Sequence, residues 1–197
     1  LVSDAGMPAI SDPGEDLVAL CYEKGIEVGI IPGPSAVVTA LAVSGLPVGR
    51  FTFEGFLSMN RRSRRAHLES IKDEKRTMVF YEAPHKLPST LKDLLEALGD
   101  RKIAIVRELT KIHEEVIRTT LSKAAERYNT ERPRGEIVLV IEGGLSQSCE
   151  KEYSVGQAAE IAVTLMKQNV SASEAAKQAA AKTGIKKGDI YKIICKK

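Results

Sequence analysis

Residues 3–14 read Ser3-Asp4-Ala5-Gly6-Met7-Pro8-Ala9-Ile10-Ser11-Asp12-Pro13-Gly14, and the organisation of the chain can be worked outward from them. Two prolines fix the backbone at φ of about −65°, while two glycines let another group approach closely. On composition alone the stretch is either a turn entering a helix or a ligand-binding loop. Asp12 fits an N-cap and Pro13 the first helical position, and Leu17, Val18, Leu20 and Cys21 form an apolar stripe that stops at Gly25. The run Ile26-Glu27-Val28-Gly29-Ile30-Ile31 is rich in β-branched residues and predicts a strand, broken by Pro32-Gly33-Pro34. Ser35 then caps a second helix that reaches Gly45.

Short units of strand, loop and helix predict a parallel α/β layer, in which ligands sit outside the carboxyl ends of the strands. Both Gly/Pro-rich loops are expected at that edge. There the Ser35 hydroxyl and the helix N-terminal amides can bind a carboxylate, which suits a small zwitterionic ligand.

Gly45-Leu46-Pro47-Val48-Gly49 reads as a hinge into a second region. That region has strand patterns at 51–56, 77–82, 102–108, 114–121 and 136–142 and helices at 61–75, 87–98 and 122–129, predicting a mixed sheet with helices. After Gly143-Gly144 the polar Ser146-Gln147-Ser148 opens a linker. From Ser154 onward the pattern is helical, with Ser171 and Glu174 spaced as a capping box, a turn at Gly184 and a last helix near 188–195. The expected division is 1–49, a first α/β domain; 50–145, a second; 146–153, a linker; and 154–197, a helical tail.

At 197 residues, 43% hydrophobic and 28% charged, the composition is that of an ordinary soluble protein. No apolar run approaches the ~20 residues of a membrane-spanning helix, and no signal peptide opens the chain, so a cytoplasmic location is expected. Cys21, Cys149 and Cys195 form neither a C-x-x-C pair nor a zinc pattern with His67, His85 or His113. The net charge of +3 permits an acidic partner without requiring one.

The ordered series formed by the first loop, Pro32-Gly33-Pro34-Ser35, Phe53-Glu54-Gly55-Phe56, Phe80-Tyr81-Glu82-Ala83-Pro84-His85 and Arg107-Glu108-Leu109-Thr110-Lys111 resembles the bacterial small-subunit ribosomal RNA cytidine 2′-O-methyltransferase family. That family lies within the tetrapyrrole-methylase-like (class III) methyltransferases. The resemblance implies a two-domain α/β enzyme, usually a homodimer, with S-adenosylmethionine bound between the domains, a cytidine ribose as acceptor and no metal. It also implies an opening strand and loop, and an acidic-arginine motif, ahead of the first residue here. The first parallel sheet is therefore expected to be incomplete, followed by a mixed sheet and a helix-turn-helix-like tail. By motif position, Asp4, Gly6, Ile10, Ser35, Ala36 and Tyr81 are expected to line the cofactor pocket.

Arg61, Arg62, Arg64 and Arg65 either contact RNA phosphates or form a solvated helix face. Arg107 and Lys111 can likewise hold RNA or join Glu108 in a surface ion-pair network. His67 and His113 are expected to be exposed helix and loop residues. Taking the ribose proton falls in principle to Glu82 or His85, although His85 equally suits a helix cap and Glu82 the domain junction. Lys186, Lys187, Lys192, Lys196 and Lys197 suggest auxiliary RNA binding or dimer support in the tail. Two other functions fit the residues: methylation of a tetrapyrrole or other small molecule, and a non-catalytic nucleic-acid-binding module.

Overall fold

A computed structural model describes residues 1–3, 6–144, 154–168 and 170–195. The expected linker 146–153 and the tail residues Lys196 and Lys197 lie outside the described residues. The chain divides into two compact units, Leu1–Gly144 and Leu145–Lys197. The first contains α1 (Glu15–Glu23), α2 (Ala36–Ser44), β1 (Phe51–Phe56), α3 (Arg61–Ser70), β2 (Thr77–Glu82), α4 (Leu87–Leu98), β3 (Lys102–Arg107), β4 (Glu115–Thr120), α5 (Leu121–Thr130) and β5 (Ile137–Ile141).

The five strands form one sheet in the order β1-β2-β5-β3-β4. β1 runs parallel to β2 and every other pairing is antiparallel, so the sheet is mixed, as the sequence predicts. The two-residue repeat of a strand sorts its side chains between two faces. Met78, Phe80, Ile103, Ile105, Ile137, Leu139 and Ile141 join one core with α3, α4 and α5. Val79, Ala104, Val106, Val138 and Val140 face the other way and receive Val37, Ala40 and Leu41 of α2.

Helix spacing decides which elements supply these cores. Leu87, Leu91, Leu94 and Leu98 recur every three or four residues along α4 and are all buried. α3 buries only Leu68, and its start is fixed instead by Asn60, whose Oδ1 accepts from the Arg62 and Ser63 amides at 2.9 and 3.1 Å. It stops at Ser70, short of the predicted 75, where three-residue turns take over: the Lys72 amide donates to the Glu69 carbonyl at 3.4 Å and the Glu74 amide to the Ile71 carbonyl at 3.0 Å. Arg101 donates to the carbonyls of Lys72 at 2.6 Å, Glu74 at 3.2 Å and Leu98 at 3.0 Å.

Residues 1–34 depart further from expectation. α1 begins at Glu15 with Gly14, not Asp12, in the cap position, and none of its residues is buried. No strand forms over 26–31, where Ile30 and Ile31 are 73% and 89% exposed. A strand exists through its ladder of hydrogen bonds, and no described strand lies beside this segment to supply one. α2 is instead secured to the sheet. Arg118 of β4 donates from Nε to the Ser44 carbonyl at 3.1 Å and from Nη2 to the Val43 carbonyl, capping the last turn, while Gly45 leaves it at φ +77°.

The second unit is built from α6 (Val155–Lys167), α7 (Ala172–Thr183) and α8 (Lys187–Ile194). Ala158, Ala162, Ala175, Ala176 and Ala179 are buried with Ile190, so small side chains let the helices approach closely. The reciprocal capping box belongs to Ser154 and Gln157. Ser171 accepts from the Glu174 amide at 3.4 Å, which is one half of the box expected there. Among the described residues no helix is long and apolar enough to cross a membrane.

Leu139 is fully buried at the centre of the sheet. Leu139→Ala is expected to lower the unfolding free energy by about 2–5 kcal/mol through lost burial and a residual cavity. Urea denaturation measures this, and a cost under about 1 kcal/mol would mean that the helical layer of α3, α4 and α5 can collapse onto the gap.

Candidate functional site

Within the first unit the two Gly/Pro-rich loops meet. The Met7 amide donates to the Pro34 carbonyl at 3.0 Å, and the Gly33 amide approaches the Met7 sulfur at 3.1 Å. Gly6 has φ +78°, and a Cβ there would stand 2.7 Å from the Pro34 carbonyl oxygen, so the close approach requires glycine. Ala9 and Ser11 also hold left-handed backbone, at φ +68° and +59°. Such strain in residues other than glycine persists only where the surroundings enforce it, and it clusters at binding loops.

The joined loops form one wall of a cleft of about 430 Å³, a volume suited to a small ligand. Gly6, Ile10, Ser35, Ala36 and Tyr81 all line it; Asp4 lies outside the described residues. Glu82 lines it too. The opposite wall includes Gly135, Glu136, Ile137 and Val138, which the motif pattern does not single out. Register explains their presence: Glu82 pairs with Ile137, bringing the start of β5 beside the end of β2. Asp12 and Ser11 of the quoted loop complete the lining, as does Phe56 at the end of β1.

Ser35 holds the N-cap position of α2 without donating or accepting a side-chain cap bond. Its hydroxyl and the first amides of α2 therefore stay available to an anionic group, which the helix dipole also favours. Tyr81 packs edge-on against Phe53, with centroids 5.0 Å apart, and lies 5.6 Å from Phe56. Burial, with a smaller contribution from the charge of Asp12, pushes its phenol above the ordinary range, partly offset by a backbone hydrogen bond from Val37. At neutral pH Tyr81 is thus an uncharged aromatic wall with a polar tip.

Glu82 is 5% exposed, and both of its oxygens are engaged. One accepts from the Ala83 amide at 2.8 Å and the other from the Thr90 hydroxyl. Thr90 in turn accepts from Arg64 Nη2 at 2.9 Å, and Arg64 Nε donates to Asp93 at 2.6 Å. A continuous polar chain therefore runs from the cleft through α4 to α3. His85 is exposed in the turn before α4 and is not part of the cleft wall.

The arginines divide by environment. Arg61, Arg64 and Arg65 line a separate groove of about 810 Å³ between α3 and α4, with Lys72 and Lys86 beside them. Arg61, Arg62 and Arg65 are exposed, whereas Arg64 is committed to Thr90 and Asp93. Arg107 pairs with Glu115 at 2.6 Å, and Lys111 reaches both Glu108 and Glu136 at 3.0 Å. These contacts hold Lys111 charged and keep Glu108 below the usual carboxyl range, the latter chiefly through the Glu136 amide. His67, expected to be exposed, is instead half-buried and 2.9 Å from Glu54, joining α3 to β1; His113 is exposed.

Comparison with known proteins accounts for this architecture. The family model described as tetrapyrrole (corrin/porphyrin) methylases matches residues 1–125. Among solved structures the fold is similar to that of the methyltransferase CobJ, with a TM-score of 0.55 and 22% identity over 71% of this chain and 62% of that one. The class defined by the fold is thus that of the tetrapyrrole methylases. Ribosomal RNA small subunit methyltransferase I of Thermotoga maritima is 52% identical over 143 residues, covering 73% of this chain and 64% of the relative. Its counterpart in Synechocystis sp. is 43% identical over 194 residues, covering 98% and 69%. The chain belongs to the tetrapyrrole methylase family, in the branch formed by the ribosomal RNA small subunit methyltransferase I proteins. It spans about two thirds of the length of the relatives it matches.

Thr90→Val keeps the shape of the side chain but leaves one Glu82 oxygen without its buried donor and Arg64 Nη2 without its acceptor, while Arg64 Nε keeps Asp93. The expected cost is about 1–3 kcal/mol, read by urea denaturation. An unchanged midpoint would show that Glu82 is held without Thr90.

Proposed function

We propose that this chain forms the greater part of an S-adenosylmethionine-dependent enzyme that methylates the 2′-oxygen of a cytidine ribose in small-subunit ribosomal RNA. The observation carrying the reading is the cleft in which the two glycine/proline loops meet Tyr81. S-adenosylmethionine would bring to that cleft an activated methyl group on a sulfonium centre. Its fit rests on the donor set: the Ser35 hydroxyl and α2 amides for a carboxylate, Asp12 for a cationic group, and Ile10 and Tyr81 for apolar and aromatic surface. Asp4 is assigned to the same pocket by its motif.

The role of the protein is mainly placement. Holding the ribose oxygen in line with the methyl group removes an entropic barrier worth about 7–11 kcal/mol in favourable cases. Tyr81, braced by Phe53 and Phe56, supplies a rigid wall for this. Of the two residues considered for the ribose proton, Glu82 borders the cleft and His85 does not. Because both Glu82 oxygens already accept hydrogen bonds, its stronger role is to hold the Tyr81–Ala83 segment in position.

RNA would approach through Arg61, Arg62 and Arg65 on α3 and through Arg107 and Lys111 at the sheet end, with Lys186, Lys187 and Lys192 of the tail adding contact. Residues 1–49 would belong to a first cofactor-binding domain and 50–145 to a second, joined by 146–153 to a tail spanning 154–197. The enzyme would act as a homodimer in the cytoplasm. Names of the relatives support RNA over a tetrapyrrole as acceptor.

Transfer of labelled methyl from S-adenosylmethionine into undermethylated small ribosomal subunits tests the reading on the full-length protein. The expected product is 2′-O-methylcytidine by nucleoside mass spectrometry; cofactor binding without transfer to subunits or naked RNA would point to another acceptor. Calorimetry should show weaker cofactor binding for Ser35→Ala. Joint replacement of Arg61, Arg62 and Arg65 by alanine should reduce the salt slope of RNA binding by about one for each phosphate no longer neutralised, with cofactor affinity unchanged. Arg64→Ala should in addition lower stability, since it breaks the link to Thr90 and Asp93.

A further inference from the structure

Beyond Gly135 from the cleft lies a second cavity, of about 370 Å³, at the ends of β3 and α5. Two of the residues lining it, Arg107 and Tyr128, carry buried polar atoms, Nε and Oη, with no hydrogen-bond partner among the described residues. Tyr128 is only 2% exposed. A buried donor left unmade costs about 1–3 kcal/mol, and such groups are few in folded proteins. Both atoms are closed to water in this structure, yet both belong to residues that line one cavity, where a rearrangement could offer them an acceptor.

The charges around it select an anion. Arg107 is tied through Nη1 to Glu115 at 2.6 Å and through Nη2 to the Arg134 carbonyl at 3.2 Å, leaving Nε. The acidic lining residues are already engaged. Glu108 takes Lys111 Nζ at 3.0 Å and the Glu136 amide at 2.8 Å, and Glu131 takes Arg127 at 2.7 Å. Arg132 and Arg134 also line the cavity, are exposed and form no ion pair among the described residues. Burial pushes the Tyr128 phenol above its ordinary range, so that it remains a neutral donor.

We infer that this cavity is a phosphodiester site, in which Arg107, Tyr128, Arg132 and Arg134 hold a backbone phosphate of the RNA strand whose ribose enters the neighbouring cleft. Segment 132–134 would release its Arg134 carbonyl from Arg107 and close over the phosphate with its two arginines. Gly135 lines both cavities and has φ +81°, and a Cβ there would run into the Glu108 carboxylate, so the partition is a bare backbone. A phosphate on one side is thereby set next to the nucleotide on the other. None of the four residues touches the reacting atoms. Their effect is to fix the register of the strand, as phosphate contacts do. The inference rests on the RNA reading above.

Two titrations test it. Inorganic phosphate added to the wild-type chain should give a saturable shift of the Arg107 Nε–Hε resonance, abolished in the Arg132→Ala/Arg134→Ala double variant and weakened several-fold in Tyr128→Phe. The absence of a shift in the wild type would overturn the site, whether or not RNA binds elsewhere. Binding of a small-subunit RNA fragment across a salt series should then show a slope lower by about 1 in the double variant, as for one phosphate no longer neutralised, with S-adenosylmethionine affinity and thermal midpoint unchanged. A phosphate shift with an unaltered slope, while wild type binds RNA, would overturn the phosphodiester assignment and leave a site for free phosphate. Failure of the wild type to bind RNA at all would instead overturn the RNA reading on which the inference rests.

Discussion

The structure of the first unit depends on β5. All five of its residues are buried, and it is hydrogen-bonded on both sides, to β2 and to β3. Because both pairings are antiparallel, the start of β5 lies beside the ends of two strands at once, with Ile137 opposite Glu82 on one side and Arg107 on the other. Parallel pairing of β1 with β2 adds Phe56 to the same edge. A single edge therefore collects the aromatic wall, the buried carboxylate, the glycine partition and the arginine of the second cavity. A one-residue slip of β5 would turn Leu139 and Val138 to the wrong faces and dismantle both cavities together.

α2 completes the cleft from the opposite face. Its apolar side rests on Val79, Val106, Val138 and Val140, and Arg118 holds its last carbonyls. Fixing the C-terminal end of the helix also fixes its N-terminal end, where Ser35 and the free amides meet the first loop. On the other side of the sheet the polar chain Glu82, Thr90, Arg64 and Asp93 joins the cleft to α4 and α3. Buried polar networks of this kind favour a single arrangement, since each member loses its partner if another moves.

Much of this was legible in the residues. The alternation of apolar residues located β1, β2 and α4 to their ends, because a two-residue or 3.6-residue repeat is a local property. The two glycine/proline loops were legible as a joint site because their backbone demands are written in residue type. Less legible were the features made by pairing. Ile26–Ile31 has the composition of a strand yet forms none, since a ladder requires a neighbour. α3 gives way after Ser70 to turns that Arg101, about thirty positions away in sequence, braces through the Lys72 and Glu74 carbonyls. Arg64 looked like one member of a basic run and is in fact half-buried and committed to α4, a distinction that charge spacing cannot express.

By itself, then, the sequence determined the elements of the mixed sheet, the two glycine/proline loops that meet beside a cleft, and membership in a methyltransferase family, all of which follow from local periodicity, backbone permissiveness and motif order. Only the tertiary structure decided which residues face those loops. Gly135–Val138, Thr90 and Tyr128 carry no motif, and their roles arise from strand register and from the partners that burial gives or denies them. Register and burial are relations between distant segments, and no local reading of residue types contains them.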